Sequence, residues 1–233
     1  MQLLLNVFIE PDALVSEYEK LRTRYALIAS LLFSALLLYP NLLITNTLLE
    51  KQMQSLGLSL SQGQIILSIV GGFFSQAIGL LIKWSFSAFF FLTVAQFFSL
   101  KRKGEIAPEM TFKGILRIVA YCSLIEIVFH AVRTLVLWIR FQQGEIHTIQ
   151  DATLLLGLNV FFYKSDLGAF LYTLFGEINP FNVWLYGVMG YLIAEIYKLK
   201  QGAVYGILFG LWLLLALLAS SFALLGEKLS PVQ

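Results

Sequence analysis

The residues best suited to chemistry are three ionisable side chains inside an apolar run. Glu126, His130 and Arg133 are spaced i, i+4 and i+7 within residues 111–140. On a helix this spacing stacks the three groups on one face. The run is long enough to cross a bilayer, where burying a charge costs about 2.5–3.5 kcal/mol on insertion scales. These residues are therefore the main candidates for an intramembrane polar cluster.

Lys83, in the preceding apolar run, is the predicted partner of this cluster. With about 1.5 Å of rise per residue, its height on its own span falls between the heights of Glu126 and His130. An ion pair between Lys83 and Glu126 that fixes the register of two helices is the first interpretation. The alternative is a polar pathway, such as a proton relay or a solute site, that runs past Lys83, Glu126 and His130.

Enzymatic chemistry has no support elsewhere in the chain. One histidine and one carboxylate on a helix face are too few ligands for zinc. Cys122 is the only cysteine, which excludes a cysteine-based metal site. The sequence contains no phosphate-binding loop, nucleophile elbow or HExxH motif. We therefore predict a non-enzymatic protein with no catalytic residue, no metal and no cofactor.

Composition places the chain in a bilayer. It is 58% hydrophobic and 13% charged, whereas an average soluble domain is about 25% charged. Its long uncharged runs predict an all-α integral membrane protein with one membrane domain over residues 25–233 and five transmembrane helices. A net charge of +2 gives no reason to expect a nucleic-acid partner. The predicted spans are residues 25–48, 73–98, 114–139, 180–197 and 202–225.

The distribution of basic residues predicts the orientation. Basic residues concentrate in cytoplasmic loops, so we expect a cytoplasmic amino terminus. The predicted basic residues at the cytoplasmic membrane surface are Lys20, Arg22, Arg24, Lys101, Arg102, Lys103 and Lys113, and Lys198 and Lys200 fall on the same side. Only Lys51, Arg140, Lys164 and Lys228 fall in outer loops.

Residues 1–24 are predicted to form a cytoplasmic amphipathic segment at the membrane interface. Pro11 suits the first helical position. Leu14, Tyr18 and Leu21 follow at helical spacing, with charged residues on the other side. This pattern is typical of a helix that lies in the plane of the membrane surface.

Residues 150–176 hold two apolar pieces, each too short to cross a membrane. A polar stretch, residues 163–166, separates them. We predict an outer interfacial or re-entrant segment. A hairpin of two short spans is the alternative.

Small residues at helical spacing mark predicted helix contacts, because they let two backbones approach closely in lipid. One such stripe lies in each of the second, fourth and fifth spans. The stripes are Gly71, Ser75 and Gly79; Gly187, Gly190 and Ala194; and Gly202, Gly206 and Gly210. The last two predict that the fourth and fifth spans pack closely as an antiparallel hairpin. Self-association through the glycine faces is a further expectation.

Three stretches of the sequence carry a family resemblance. They are NVFIEP near the start, TFKGILRIVAYCSL at the entry to the third span, and INPFNVWLYGVMGYLIAEIYKLKQGAVYGILFGLW across the last two spans. Together they resemble the Yip family, the Ypt/Rab-interacting-protein domain membrane proteins. The resemblance implies five spans and a cytoplasmic amino terminus. Eukaryotic members contact prenylated Rab GTPases in vesicle traffic.

This compact chain is more similar to the prokaryotic members, for which no Rab-type GTPase partner is expected. We therefore expect a membrane-organising or scaffold protein that contacts the lipid bilayer and other membrane proteins through its amino-terminal segment and the loop 101–113. The expected location is the cell (inner) membrane if the protein is prokaryotic. The alternative function is a small transporter or channel with a polar pathway at Lys83, Glu126 and His130.

Charge-neutralising substitutions test the predicted ion pair. Lys83→Met and Glu126→Leu together should leave a stable protein. Each single substitution removes one charge and leaves the other in the membrane, which should lower the free energy of unfolding by about 2.5–3.5 kcal/mol. Thermal unfolding in detergent measures this difference. Equal stability of the single and double variants would contradict the pair, and loss of a solute flux with an intact fold would favour the pathway.

Overall fold

The computed structural model describes residues 2–55, 62–97, 108–147 and 156–229. Over these ranges every regular element is helical, as predicted. The α-helices are α1 (Gln2–Ile9), α2 (Pro11–Ser16), α3 (Thr23–Ser55), α4 (Gln62–Phe97), α5 (Phe112–Cys122), α6 (Leu124–Gln142), α7 (Lys164–Glu177), α8 (Pro180–Ile196) and α9 (Gln201–Leu229). Short 3₁₀ turns lie at Tyr18–Lys20 and Leu158–Phe161.

Four stretches of the described helices are long and apolar enough to cross a membrane. They are Thr23–Lys51, Val70–Gln96, Phe112–Gln142 and Gln201–Glu227. They correspond to the predicted first, second, third and fifth spans. The predicted fourth span corresponds to α8, whose 17 residues cover about 25 Å, less than the roughly 30 Å of a hydrocarbon core. The helices are those of an integral membrane protein, while the fifth crossing and the orientation stay predictions.

The third span consists of two helices in series, α5 and α6. Thr111 caps the start of α5, because its Oγ1 accepts a hydrogen bond from the backbone nitrogen of Gly114 at 3.2 Å. Ser123 separates the two helices. Its Oγ donates to the carbonyl of Ala120 at 2.7 Å, and such bonds compete with the regular helical pattern. The interruption therefore lies three residues before Glu126.

Contacts divide the chain into two compact units. The first unit contains Met1–Ala26, Trp84–Glu126 and Leu155–Gln233. In this unit α5 packs on α8, both α7 and α8 pack on α9, and the short helices α1 and α2 pack on α5 and α8. The side chains of its core include Ile115, Ile118, Leu192 and Ile193, all fully buried.

The second unit contains Leu27–Lys83 and Ile127–Leu154. A hydrogen bond joins α3 to α6 in this unit, with Asn41 Nδ2 donating to Thr134 Oγ1 at 2.9 Å. Interhelical hydrogen bonds in membrane proteins average about 0.6 kcal/mol, so this bond sets the register more than the stability. The adjoining apolar cluster consists of Ile44, Leu48, Leu137 and Ile146.

Both ends of α8 are fixed by local hydrogen bonds. At its start, Asn179 Oδ1 accepts from the backbone nitrogen of Asn182 at 2.8 Å, which is the arrangement of an N-cap. At its end, Lys198 has a φ of +50°, and the nitrogen of Leu199 donates to the carbonyl of Ala194 at 2.9 Å. This is a Schellman turn with lysine at the position that glycine usually takes. It directs the chain from α8 into α9.

Candidate functional site

The amino-terminal segment, residues 2–22, lies along α8. Three side-chain contacts join the two in the same order along both: Phe8 with Trp184, Asp12 with Tyr191, and Tyr18 with Tyr197. The segment therefore runs parallel to α8. The predicted apolar stripe faces the protein itself, since Leu14 and Leu21 are fully buried. These two residues do not share one helix, because α2 ends at Ser16.

A pair of tyrosines anchors the segment at the end of α8. The hydroxyl oxygens of Tyr18 and Tyr197 lie 2.6 Å apart, a hydrogen-bond distance, and their rings meet nearly edge to face at 75°. Tyr197 is 1% exposed, so its hydroxyl needs a partner inside the protein. Gly114 of α5 lies against both hydroxyls, and a Cβ at this position would overlap them. The contact therefore requires glycine here.

A second hydrogen bond ties the end of the segment to α5. The backbone nitrogen of Arg22 donates to the hydroxyl of Tyr121 at 3.4 Å, and Tyr121 is buried. Leu21, just before, has an extended backbone that ends the 3₁₀ turn. Because α3 begins at Thr23, this bond lies at the junction between the segment and the first span.

The three contacts, with Gly114 and Tyr121, include residues from each of the stretches that carry the family resemblance. A family model, described as the Yip1 domain, matches residues 5–222. The chain belongs to the Yip1 family. The predicted family is thus confirmed. Comparisons with curated proteins and with solved structures gave no match.

In this Yip1-domain protein the three stretches meet where the amino-terminal segment packs on α5 and α8, and we call these contacts together the packing site. NVFIEP contributes Phe8. TFKGILRIVAYCSL contributes Gly114 and Tyr121, and the long stretch across α8 contributes Trp184 and Tyr197. The residues that carry the resemblance therefore hold the amino-terminal segment against α5 and α8.

Three exposed basic residues lie next to this packing site: Arg22, Lys113 and Lys200. Lys113 precedes Gly114, and Lys200 follows Tyr197 by three residues. None of the three forms an ion pair with a carboxylate of the described residues. We call these three residues the basic rim.

The other basic residues predicted at the membrane surface either interact with a neighbouring side chain or lie outside the described residues. Lys20 is exposed but lies 3.1 Å from Glu17 in an ion pair. The guanidinium of Arg24 lies over the ring of Tyr25, 5.0 Å from its centroid. Lys101, Arg102 and Lys103 lie outside the described residues.

The predicted intramembrane cluster stays a prediction. Glu126, His130 and Arg133 lie on successive turns of α6, and all three are half-buried. Lys83 is half-buried on α4. Lys83, His130 and Arg133 belong to the second unit and Glu126 to the first, so the ion pair between Lys83 and Glu126 stays a prediction.

The predicted glycine stripes differ in their surroundings. On α8, Ala194 is fully buried, and a Cβ on Gly190 would overlap the ring of Tyr205. On α4 and α9 the stripes are exposed. A Cβ would meet no described atom within 4 Å at Gly71, Gly79, Gly202, Gly206 or Gly210. These two stripes stay predicted contact faces for another helix.

The tyrosine contacts were not predicted from the sequence. Tyr18 and Tyr197 are 179 positions apart, and no local pattern pairs them. Tyr121 and Tyr197 look like ordinary apolar residues of a membrane helix. The one usable signal was Gly114, because glycine inside a helix costs about 1 kcal/mol relative to alanine and so indicates a close approach.

The polar groups of the packing site bond within the protein. The tyrosine hydroxyls bond to one another, to a backbone nitrogen or to the carboxylate of Asp12. Among the described residues, no group of three or more His, Cys, Asp or Glu side chains could hold a metal ion. Cys122 is buried, where it cannot act as a surface nucleophile.

Gly114→Ala should release the amino-terminal segment. The added methyl group would occupy the space of the Tyr18 and Tyr197 hydroxyls, so the segment should open more often. We expect faster trypsin cleavage after Lys20 and Arg22, because cleavage requires local opening of the chain. Mass spectrometry of the detergent-solubilised protein measures the rate.

Gly206→Ala is the matched control for this experiment. A Cβ at Gly206 meets no described atom within 4 Å, and alanine favours the helix by up to about 1 kcal/mol. Adding Tyr18→Phe to Gly114→Ala should restore part of the protection, since it removes one of the two hydroxyls. A cleavage rate in Gly114→Ala equal to that of the control would contradict the docking.

Proposed function

We propose that this Yip1-domain protein is a non-enzymatic membrane-organising scaffold that presents its basic rim to anionic lipid headgroups. Family membership and the apolar helices fit a membrane-associated, non-enzymatic role. The observation that carries the finer proposal is the docked amino-terminal segment. Because Tyr18 packs on Tyr197 and Gly114, the three chain segments that carry Arg22, Lys113 and Lys200 come together.

Electrostatics favours an anionic membrane surface as the partner of the rim. A basic residue close to such a surface contributes about 1 kcal/mol, and the attraction decays within a Debye length of about 8 Å at physiological salt. Arg22, Lys113 and Lys200 are exposed and have no carboxylate partner among the described residues. Their charges are therefore available to headgroups.

We propose a topology of five spans with the amino terminus in the cytoplasm. α8 alone is short, but α7 packs on the same helix, α9. Lys164 at the start of α7 pairs with Glu227 at 3.9 Å. Near the other end of α9, the hydroxyl of Tyr205 donates to the carbonyl of Gly187 in α8 at 3.2 Å. In series, α7 and α8 thus follow α9 along its length and supply one crossing.

The break between α7 and α8 meets the main requirement of such a crossing. Backbone groups freed at a break inside a bilayer must be bonded within the protein. Asn182 Nδ2 donates to the carbonyl of Glu177 at 2.7 Å, and Asn179 Nδ2 donates to that of Gly176 at 3.2 Å. The two asparagines therefore satisfy the end of α7 while one of them caps α8.

The proposed partners are the lipid bilayer, other membrane proteins and further copies of this chain. The membrane helices imply contact with the bilayer, and the Yip1 family points to membrane-protein partners in general. The open glycine stripes on α4 and α9 fit self-association between copies. In a prokaryotic cell the protein would lie in the cell (inner) membrane, and a Rab-type GTPase would not be its partner.

Reporter fusions test the topology. A reporter fused after Gln233 should be active only on the outer side of the membrane, because five crossings place the two ends of this sequence on opposite sides. The measurement is the activity of a paired periplasmic and cytoplasmic reporter in intact cells. A fusion at Lys103, in a loop predicted to be cytoplasmic, is the control. A cytoplasmic signal after Gln233 would overturn the five-span proposal.

Charge removal tests the lipid-binding role. The triple variant Arg22→Gln, Lys113→Gln and Lys200→Gln should lower the affinity for anionic lipid about five-fold per charge, since each contributes about 1 kcal/mol. The measurement is energy transfer from labelled protein to labelled phosphatidylserine, compared with phosphatidylcholine, in nanodiscs at low and physiological salt.

The matched control removes the same net charge elsewhere: Lys51→Gln, Arg140→Gln and Lys164→Gln. Arg140 and Lys164 already pair with Glu145 and Glu227, so this triple should change lipid enrichment little. Enrichment of phosphatidylserine that survives loss of the rim, or falls equally in both triples, would overturn the proposed role.

A further inference from the structure

A non-α-helical segment carries the most exposed aromatic side chains in the described part of the chain. Phe161 is 78% exposed and Tyr163 is 79% exposed. Both lie in residues 157–163, which include the 3₁₀ turn and lead into α7. Residues 157–177 form what we call the α7 hairpin, with a polar turn at residues 164–166. Exposed apolar side chains that lie together mark a surface that contacts a membrane, a ligand or another protein.

The two arms of the α7 hairpin are held together at close range. Gly157 lies against the carbonyls of Phe175 and Gly176, and a Cβ at this position would overlap them. The nitrogen of Leu158 donates to the carbonyl of Ile178 at 3.0 Å. The rings of Phe162 and Phe175 lie 5.5 Å apart. The 3₁₀ arm is therefore held against the last residues of α7 and against Ile178 just after it.

Several backbone nitrogens of the hairpin donate hydrogen bonds to acceptors within the hairpin. The nitrogen of Gly157 donates to Asn159 Oδ1 at 3.2 Å, and the Asn159 side chain is fully buried. The nitrogens of Val160 and Phe162 donate to the carbonyls of Gly157 and Asn159 at 3.1 Å each. Backbone polar groups that lie at membrane depth must be bonded within the protein.

The position of the hairpin relative to α9 places it beside lipid. α7 packs along α9, and Lys164 pairs with Glu227, the last residue of the apolar stretch Gln201–Glu227. At the same end of α9, Phe222 is 70% exposed and Leu225 is 52% exposed. Exposed apolar side chains therefore lie on both the hairpin and α9, and the hairpin packs on α9 at this end of the helix.

We propose that the α7 hairpin is embedded in one leaflet of the bilayer, the leaflet at the carboxyl-terminal end of α9. Lipid acyl chains cover Phe161, and Tyr163 with the polar turn lies at the headgroup level, where amphipathic rings are favoured. This deepens the proposed membrane-organising function and rests on the crossing by α9, but not on the basic rim. A hairpin in one leaflet adds protein cross-section to that leaflet alone.

Spin labels at single cysteines test this placement. In a Cys122→Ala background, labels are attached at Phe161→Cys, Ser165→Cys and Phe209→Cys, and the protein is reconstituted in nanodiscs. We expect oxygen to reach the label at 161 and a water-soluble nickel complex to be excluded from it, as at 209. At 165, in the polar turn, the nickel complex should have full access. Phe209 is the lipid reference because it is 60% exposed on α9.

Three outcomes would overturn the proposal, each for a different reason. Nickel access at 161 equal to that at 165 would place the hairpin in water. Exclusion of both oxygen and nickel at 161, with dipolar broadening between labels, would make this face a contact between two copies. Nickel access at 209 would show that α9 does not cross, and the proposed topology would fail with the hairpin placement. The first two outcomes, with nickel still excluded at 209, would overturn the hairpin placement alone.

Discussion

The constraint on which the structure depends is that backbone polar groups in a bilayer must find partners within the chain. It explains why the described elements are helical and why several helix ends are capped by side chains. Thr111 and Asn179 cap helix starts, and Ser123 bonds the carbonyl of Ala120 at the break between α5 and α6. At the end of α7, the side-chain amides of Asn179 and Asn182 donate hydrogen bonds to the carbonyls of Gly176 and Glu177.

These interruptions also determine where the amino-terminal segment packs on the rest of the protein. The Schellman turn at Lys198 ends α8 and leaves Tyr197 facing the amino-terminal segment. The cap at Thr111 begins α5 and brings Gly114 to the same point. Breaks in the helices thus create a contact between parts of the chain that are far apart in sequence. The basic rim is a consequence of that contact.

The packing site shows what the residues that carry the family resemblance do in this structure. The stretches that carry the resemblance supply the contacts between the amino-terminal segment, α5 and α8. These contacts concern packing, with glycine where two hydroxyls approach and aromatic rings edge to face. In this chain these residues hold the amino-terminal segment in place. That reading agrees with a role at the membrane surface.

The sequence by itself determined the helical class, the long apolar runs, the family and the common face of Glu126, His130 and Arg133. These properties follow from periodicity and composition, which act over a few turns of helix. Only the tertiary structure decided that Tyr18 meets Tyr197 and that α7 joins α8 along α9. Such contacts depend on which surfaces fit together, and side chains 179 positions apart carry no local signal of their pairing.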